Sequence, residues 1–133
     1  MKYTIHGKSN SDGSAELRAK GSKYAFGIKA EQADLAGPAE LLLSAFAACC
    51  LKNVERFASI LKYTYEEAEI EVSGTRQEKP PMFTKINFTL HIKSTDPNLN
   101  PDLLFKNIQK FGTIYNTLNA VCEINGQLKL NDQ

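Results

Sequence analysis

The chain opens with apolar and polar residues in strict alternation. Ala15, Leu17 and Ala19 fall on one side of an extended chain and Glu16, Arg18 and Lys20 on the other, the period of two that marks a half-buried strand. Lys2 to Gly7 reads as a strand before it, with Gly7–Gly13 as the intervening turn. Gly21-Ser22 makes a second tight turn into a third strand, Lys23 to Lys29, and the opening is an antiparallel meander. Gly37-Pro38 then punctuates the chain, and from Ala39 to about Tyr63 no turn residue occurs. Proline suits the first helical position, and Glu40 in the first turn complements the helix dipole. The run from Leu41 to Leu51 is apolar nearly all round, which predicts that the first half of this long helix lies in the protein centre. Beyond it Lys52, Asn53, Glu55 and Arg56 make the helix amphipathic.

Two further alternating runs predict strands: Ala68, Ile70 and Val72 between glutamates, and Ile86, Phe88, Leu90 and Ile92 between polar residues. Lys79-Pro80-Pro81 between them reads as a stiff exposed loop. Asn100-Pro101-Asp102 starts a second helix with Asn100 as its cap and an apolar stripe of Leu104, Ile108 and Phe111. Gly112 ends it, and Thr113 is placed to cap a short third helix carrying Ile114, Tyr115 and Leu118. A last strand turns Cys122, Ile124, Leu128 and Leu130 to the core, with a kink or bulge expected at Asn125-Gly126. The order is βββ-α-ββ-αα-β, an α+β fold in a single domain over residues 1–133.

Composition narrows the class. Sixteen basic residues against fifteen acidic ones give a net charge of +1, without the basic excess of a nucleic-acid binder. No stretch approaches the roughly 20 apolar residues of a membrane span, and the N-terminus carries no apolar signal segment, so a cytoplasmic protein without membrane contact is expected. Three cysteines, two of them adjacent, do not form a secreted disulfide framework. With no CxxC spacing, and with His6 and His91 far apart, neither a metal nor a cofactor is expected.

Cys49 and Cys50 are the residues with chemistry to offer. Neighbours on a helix are rotated by about 100°, so the two sulfurs face different surroundings. Cys50 shares its face with Leu43, Phe46, Ala47, Val54 and Phe57, a dry stripe where a thiol is a small inert hydrophobe. Cys49 shares its face with Leu42, Ala45, Lys52, Asn53 and Arg56, which runs out into cations that favour a thiolate. Cys49 is therefore the better nucleophile.

The segment Pro38-Ala39-Glu40-Leu41-Leu42-Leu43-Ser44-Ala45-Phe46-Ala47-Ala48-Cys49 resembles the central-helix signature of the OsmC/Ohr superfamily, which carries the reactive cysteine. The element order and the Tyr115-Asn116-Thr117-Leu118 stretch agree with it. The resemblance implies an intertwined homodimer built around two long buried central helices. It also implies thiol-dependent reduction of organic hydroperoxides, with an arginine and a glutamate activating the thiolate. Arg18 in the meander, or Arg56 on the face of Cys49, stands for the arginine. The family's glutamate precedes the cysteine by ten positions, where this chain has Ala39, and Glu40 aligns with a second acidic residue of the motif. A register shift making Cys50 the nucleophile would restore that spacing for Glu40.

Gly112 stands where peroxidase members carry their second, resolving cysteine. Two readings follow. In the first, Cys49 alone reduces or senses hydroperoxides and an external thiol or dithiol recycles it. In the second, the fold binds a small apolar ligand and peroxidase chemistry has been lost.

Overall fold

In the N-terminal sheet each strand is as long as its partner allows. The computed structural model describes residues 1–131, in two compact units: Met1–Leu42, and a second that begins at Leu43. In the first unit β1 (His6–Ser9), β2 (Ala15–Ala19) and β3 (Ser22–Ala25) form the expected antiparallel meander in the order β1-β2-β3. The first strand was expected to begin at Lys2. It begins at His6, which pairs with Arg18, because β2 turns away after Ala19 into a left-handed Lys20 (φ 56°). The third strand stops at Ala25 rather than Lys29, since Ala25 pairs with Glu16 and β2 begins one residue earlier.

The long helix, α1 (Pro38–Ile60), starts in the first unit and continues in the second. Its N-terminus is fastened by Glu40, whose Oε1 accepts the Gly37 N–H at 2.7 Å, the reach-back half of a capping box. It ends three residues before the expected Tyr63 because Lys62 adopts a left-handed conformation (φ 58°) and Tyr63 N–H bonds back to the Ala58 carbonyl. Burial along α1 is one-sided. Phe46, Cys50, Asn53, Val54 and Phe57 are buried, while Leu42 is 38% exposed and Ala48 is exposed, so the first half is not enclosed all round as its sequence predicts.

In the second unit β4 (Glu67–Glu78) and β5 (Pro81–Lys93) form a long antiparallel hairpin, and β6 (Glu123–Leu130) lies parallel to β5. The strands run to Glu78 and from Pro81, which pair with each other, so Lys79-Pro80 is a tight hairpin turn instead of a loop. A parallel neighbour requires a crossover, and α2 (Pro101–Phe111) and α3 (Thr113–Asn119) supply it. Asn100 caps α2 as expected, its side chain accepting the Leu103 N–H at 3.1 Å. Thr113 does not cap α3: it is the first helical residue, and Gly112 is the cap position.

Phe46, Cys50, Val54 and Phe57 of α1, Leu104 and Ile108 of α2, and Ile86, Phe88, Leu90 and Ile92 of β5 belong to one core cluster. Each large side chain there contributes about 1.5–3 kcal/mol by leaving water. Gly126 is neither kink nor bulge. It sits in regular register opposite Phe88, and a β-carbon on it would stand 2.1 Å from that ring, so glycine is what lets the ring lie across the strand.

Candidate functional site

Cys49 and Cys50 sit one residue apart on α1 and differ as their faces predict. Cys50 is fully buried in the core cluster, and loss of solvent, reinforced by the adjacent Cys49, pushes its thiol up to about 12. A group so held is neutral and unreactive at physiological pH. Cys49 is half-buried. Cys122 is buried just before β6, with its thiol donating to the Phe83 carbonyl at 3.4 Å, so it is a structural sulfur.

Two groups define the surroundings of Cys49 Sγ. The first is Asn53, one turn further along α1 and only 7% exposed. Its amide nitrogen donates to the Cys49 carbonyl oxygen at 2.8 Å and stands 3.7 Å from Sγ, within hydrogen-bonding range of sulfur. The second is Gly112, at the α2–α3 junction. A β-carbon on Gly112 would lie 3.2 Å from Cys49 Sγ, so the position expected for a resolving cysteine faces the Cys49 sulfur. The same β-carbon would lie 2.8 Å from the Ile108 carbonyl oxygen, closer than real side chains pack, and a tight 3.0 Å from Tyr115 Cβ.

Tyr115 forms the wall next to this junction. Its ring packs against Phe46 and Phe88 with centroids 5.5 and 6.2 Å away, and its hydroxyl accepts a hydrogen bond from Gln109 Nε2 at 3.2 Å. Burial raises its pKa above the usual tyrosine value.

The charged residues singled out in the sequence are engaged elsewhere. The Arg56 guanidinium lies over the rings of Phe57 and Phe111, at 5.4 and 6.0 Å from their centroids. Phe111 immediately precedes Gly112, so Arg56 is held beside the α2–α3 junction, but among the described residues no hydrogen bond joins it to Cys49. In the first unit Arg18, the one exposed residue of β2, pairs with Glu16 at 2.8 Å, and Glu40 spends its carboxylate on the α1 cap. Sequence reasoning placed Asn53 on the face of Cys49 without a role, although the spacing of four on a helix already allowed the contact. Contact between Gly112 and the sulfur had no local signal, being made across the tertiary fold.

Among the described residues no group of three or more His, Cys, Asp or Glu side chains could hold a metal ion, and no helix is long and apolar enough to cross a membrane.

What this arrangement offers is a single accessible thiol flanked by an amide donor and a tight helix junction. Proteins with the same fold have been solved. An OsmC-like protein from Mycoplasma pneumoniae is 24% identical over 98% of this chain and 97% of its own, with a TM-score of 0.83. An organic hydroperoxide resistance protein from Legionella pneumophila is 15% identical over 96% of this chain and 97% of its own, with a TM-score of 0.67. The organic hydroperoxide resistance protein OhrB of Bacillus subtilis is 17% identical over 97% and 98%, with a TM-score of 0.63. By sequence, no curated protein matches. Residues 31–125, well over half of the sequence, match the OsmC-like protein family, and the chain belongs to it.

Proposed function

We propose that this chain reduces or senses organic hydroperoxides through Cys49 alone. The observation that carries this reading is the division among the three sulfurs: Cys50 and Cys122 are buried, and only Cys49 is partly open and beside a hydrogen-bond donor. Two fold relatives bear the name of organic hydroperoxide resistance proteins, which supports the same substrate class.

In the proposed reaction the Cys49 thiolate attacks the terminal oxygen of the hydroperoxide. The O–O bond breaks, the remaining alkoxide takes a proton and leaves as the alcohol, and the sulfur, oxidised by two electrons, becomes a sulfenic acid. With glycine at 112 and the other two thiols buried, an external thiol attacks this sulfur next, expelling water and forming a mixed disulfide. A second external thiol releases Cys49 and carries away the disulfide. A positive charge near the sulfur favours the thiolate, the role assigned to Arg56 or Arg18, with Glu40 holding the arginine. Each is to be reached from the partnered positions described above.

A sulfenic-acid reagent present during a single turnover with an organic hydroperoxide should label Cys49 rapidly and leave Cys49→Ser unlabelled. Reaction of Cys49 no faster than a free thiol would remove this reading and leave the second one, a pocket that binds a small apolar ligand without chemistry, which the glycine at 112 favours. We also propose that the chain is a homodimer, since Leu42 and Ala48 on the central helix are left open. Sedimentation should show no folded monomer on dilution, and a stable monomer would overturn the assembly.

A further inference from the structure

We infer that Asn53 holds and activates the Cys49 sulfur, a donor supplied from within α1 itself; this rests on the reading of Cys49 as the reactive thiol. A buried amide must have its hydrogen bonds met, and an amide nitrogen carries two hydrogens. In Asn53 one is met by the Cys49 carbonyl oxygen at 2.8 Å, which fixes where the side chain points. The same nitrogen stands 3.7 Å from Sγ, within hydrogen-bonding range of sulfur. The first contact is the ordinary fate of a polar side chain one turn down a helix. The second places a donor on the reacting atom.

A hydrogen bond to an ionised acceptor is roughly twice as strong as one to its neutral form. The Asn53 amide therefore favours the thiolate over the thiol and keeps it pointed, in a position where no charged side chain among the described residues is bonded to the sulfur. It also separates the two neighbouring cysteines. The residue one turn beyond Cys50 is Val54, fully buried and without any donor, so the helix gives one thiol a partner and the other a dry wall. After oxidation the same N–H lies beside the sulfur that carries the new oxygen.

Two substitutions in the full chain test this. Asn53→Leu keeps nearly the same volume and removes the donor; Asn53→Asp keeps the shape and replaces the donor with a negatively charged acceptor. The readout is the pH profile of Cys49 alkylation by iodoacetamide, with the modified residue located by peptide mass and the melting temperature followed alongside. Titratable groups on the elements that meet at Cys49, namely Cys50, Lys52, Glu55 and Arg56 on α1 and Lys110 and Tyr115 on α2 and α3, are common to all variants. The profile should move to higher pH in Asn53→Leu and further in Asn53→Asp, with alkylation at neutral pH slowed severalfold. A merely structural amide would lower the melting temperature and leave the profile in place, which overturns the inference. Should Asn53→Leu fail to fold, the smaller Asn53→Ala, which also removes the donor and adds no charge, decides on the same readout. Because alkylation needs no peroxide, a wild type that forms no sulfenic acid defeats the peroxide reading while the profile still decides the role of Asn53.

Discussion

Two faces of one helix, a single residue apart, give opposite surroundings to the same side chain. The face of Cys50 is completed by Phe46, Val54 and Phe57, all buried, and its thiol is a packing group held neutral. The face of Cys49 carries exposed Lys52 and Arg56, half-buried Ala45 and the buried amide of Asn53, with Gly112 packed against the sulfur. In the proposed reaction Cys49 is set apart by neighbours four and seven positions away and by a helix junction brought in by the fold. Neither sequence adjacency nor the residue type decides it. A helix that buries one stripe can place a structural and a chemical cysteine in succession without conflict, because the rotation between them removes each from the other's surroundings.

The largest expected effect that sharpens this contrast is alkaline. In the unfolded chain the Cys50 thiol ionises near 9.0, whereas burial holds it up to about 12 in the folded state. Between those values the unfolded state has lost a proton that the folded state keeps, so each rise in pH favours unfolding. The stabilisation is fully present below pH 9 and is lost as pH climbs towards 12, amounting to a few kcal/mol across the whole interval. Tyr63 and Tyr115, whose pKa values burial also raises, act in the same direction, so the comparison must be made against Cys50→Ala. Urea unfolding between pH 9 and 11 should weaken more steeply for the wild type than for Cys50→Ala. Parallel curves would mean that the two faces do not differ in the way described.

Much of this contrast was legible in the sequence, and the parts that were not share a cause. Periodicity placed Phe46, Cys50, Val54 and Phe57 on one stripe because helix rotation is a local rule, and all four are buried. The cap at Asn100 and the element order were legible for the same reason. Strand ends were not: His6 and Ala25 are termini because β2 runs out opposite them, which is a property of pairing. The Asn125-Gly126 pair reads locally as a break. Only the Phe88 ring lying across it explains a glycine in unbroken strand. Similarly, Gly112 was identifiable as a helix end and as the site of an absent cysteine, but its packing on Cys49 Sγ depends on where α2 and α3 dock. The charged residues were the hardest to read. Arg56 is captured by Phe57 and Phe111, Arg18 by Glu16 and Glu40 by Gly37; of these four partners only Phe111 is distant in sequence, and only the Gly37 contact is implied by a capping pattern.

A smaller effect tests whether the junction beside Cys49 differs from a two-cysteine site only by one side chain. Across an S–S bond of about 2.05 Å, the β-carbon of one cysteine lies about 3 Å from the sulfur of the other. The 3.2 Å from a β-carbon at 112 to Cys49 Sγ is close to that value, so Gly112→Cys aims a second thiol correctly. Its cost comes from the Ile108 carbonyl oxygen at 2.8 Å and Tyr115 Cβ at 3.0 Å, contacts that force the junction to open by a few tenths of an ångström. Overpacking of this kind costs about 1–3 kcal/mol, so the reduced variant should melt below the wild type. One equivalent of hydroperoxide should then join Cys49 to residue 112, visible as a linked peptide in non-reducing mass spectrometry, and return part of the lost stability through the cross-link. The wild type, offered the same oxidant, should keep an open sulfenic acid on Cys49. A variant that also keeps it open, with no linked peptide, would show that the tight packing of Ile108 and Tyr115 holds the junction shut. The single-thiol character of the site would then reside in the backbone around Gly112 as much as in the missing sulfur.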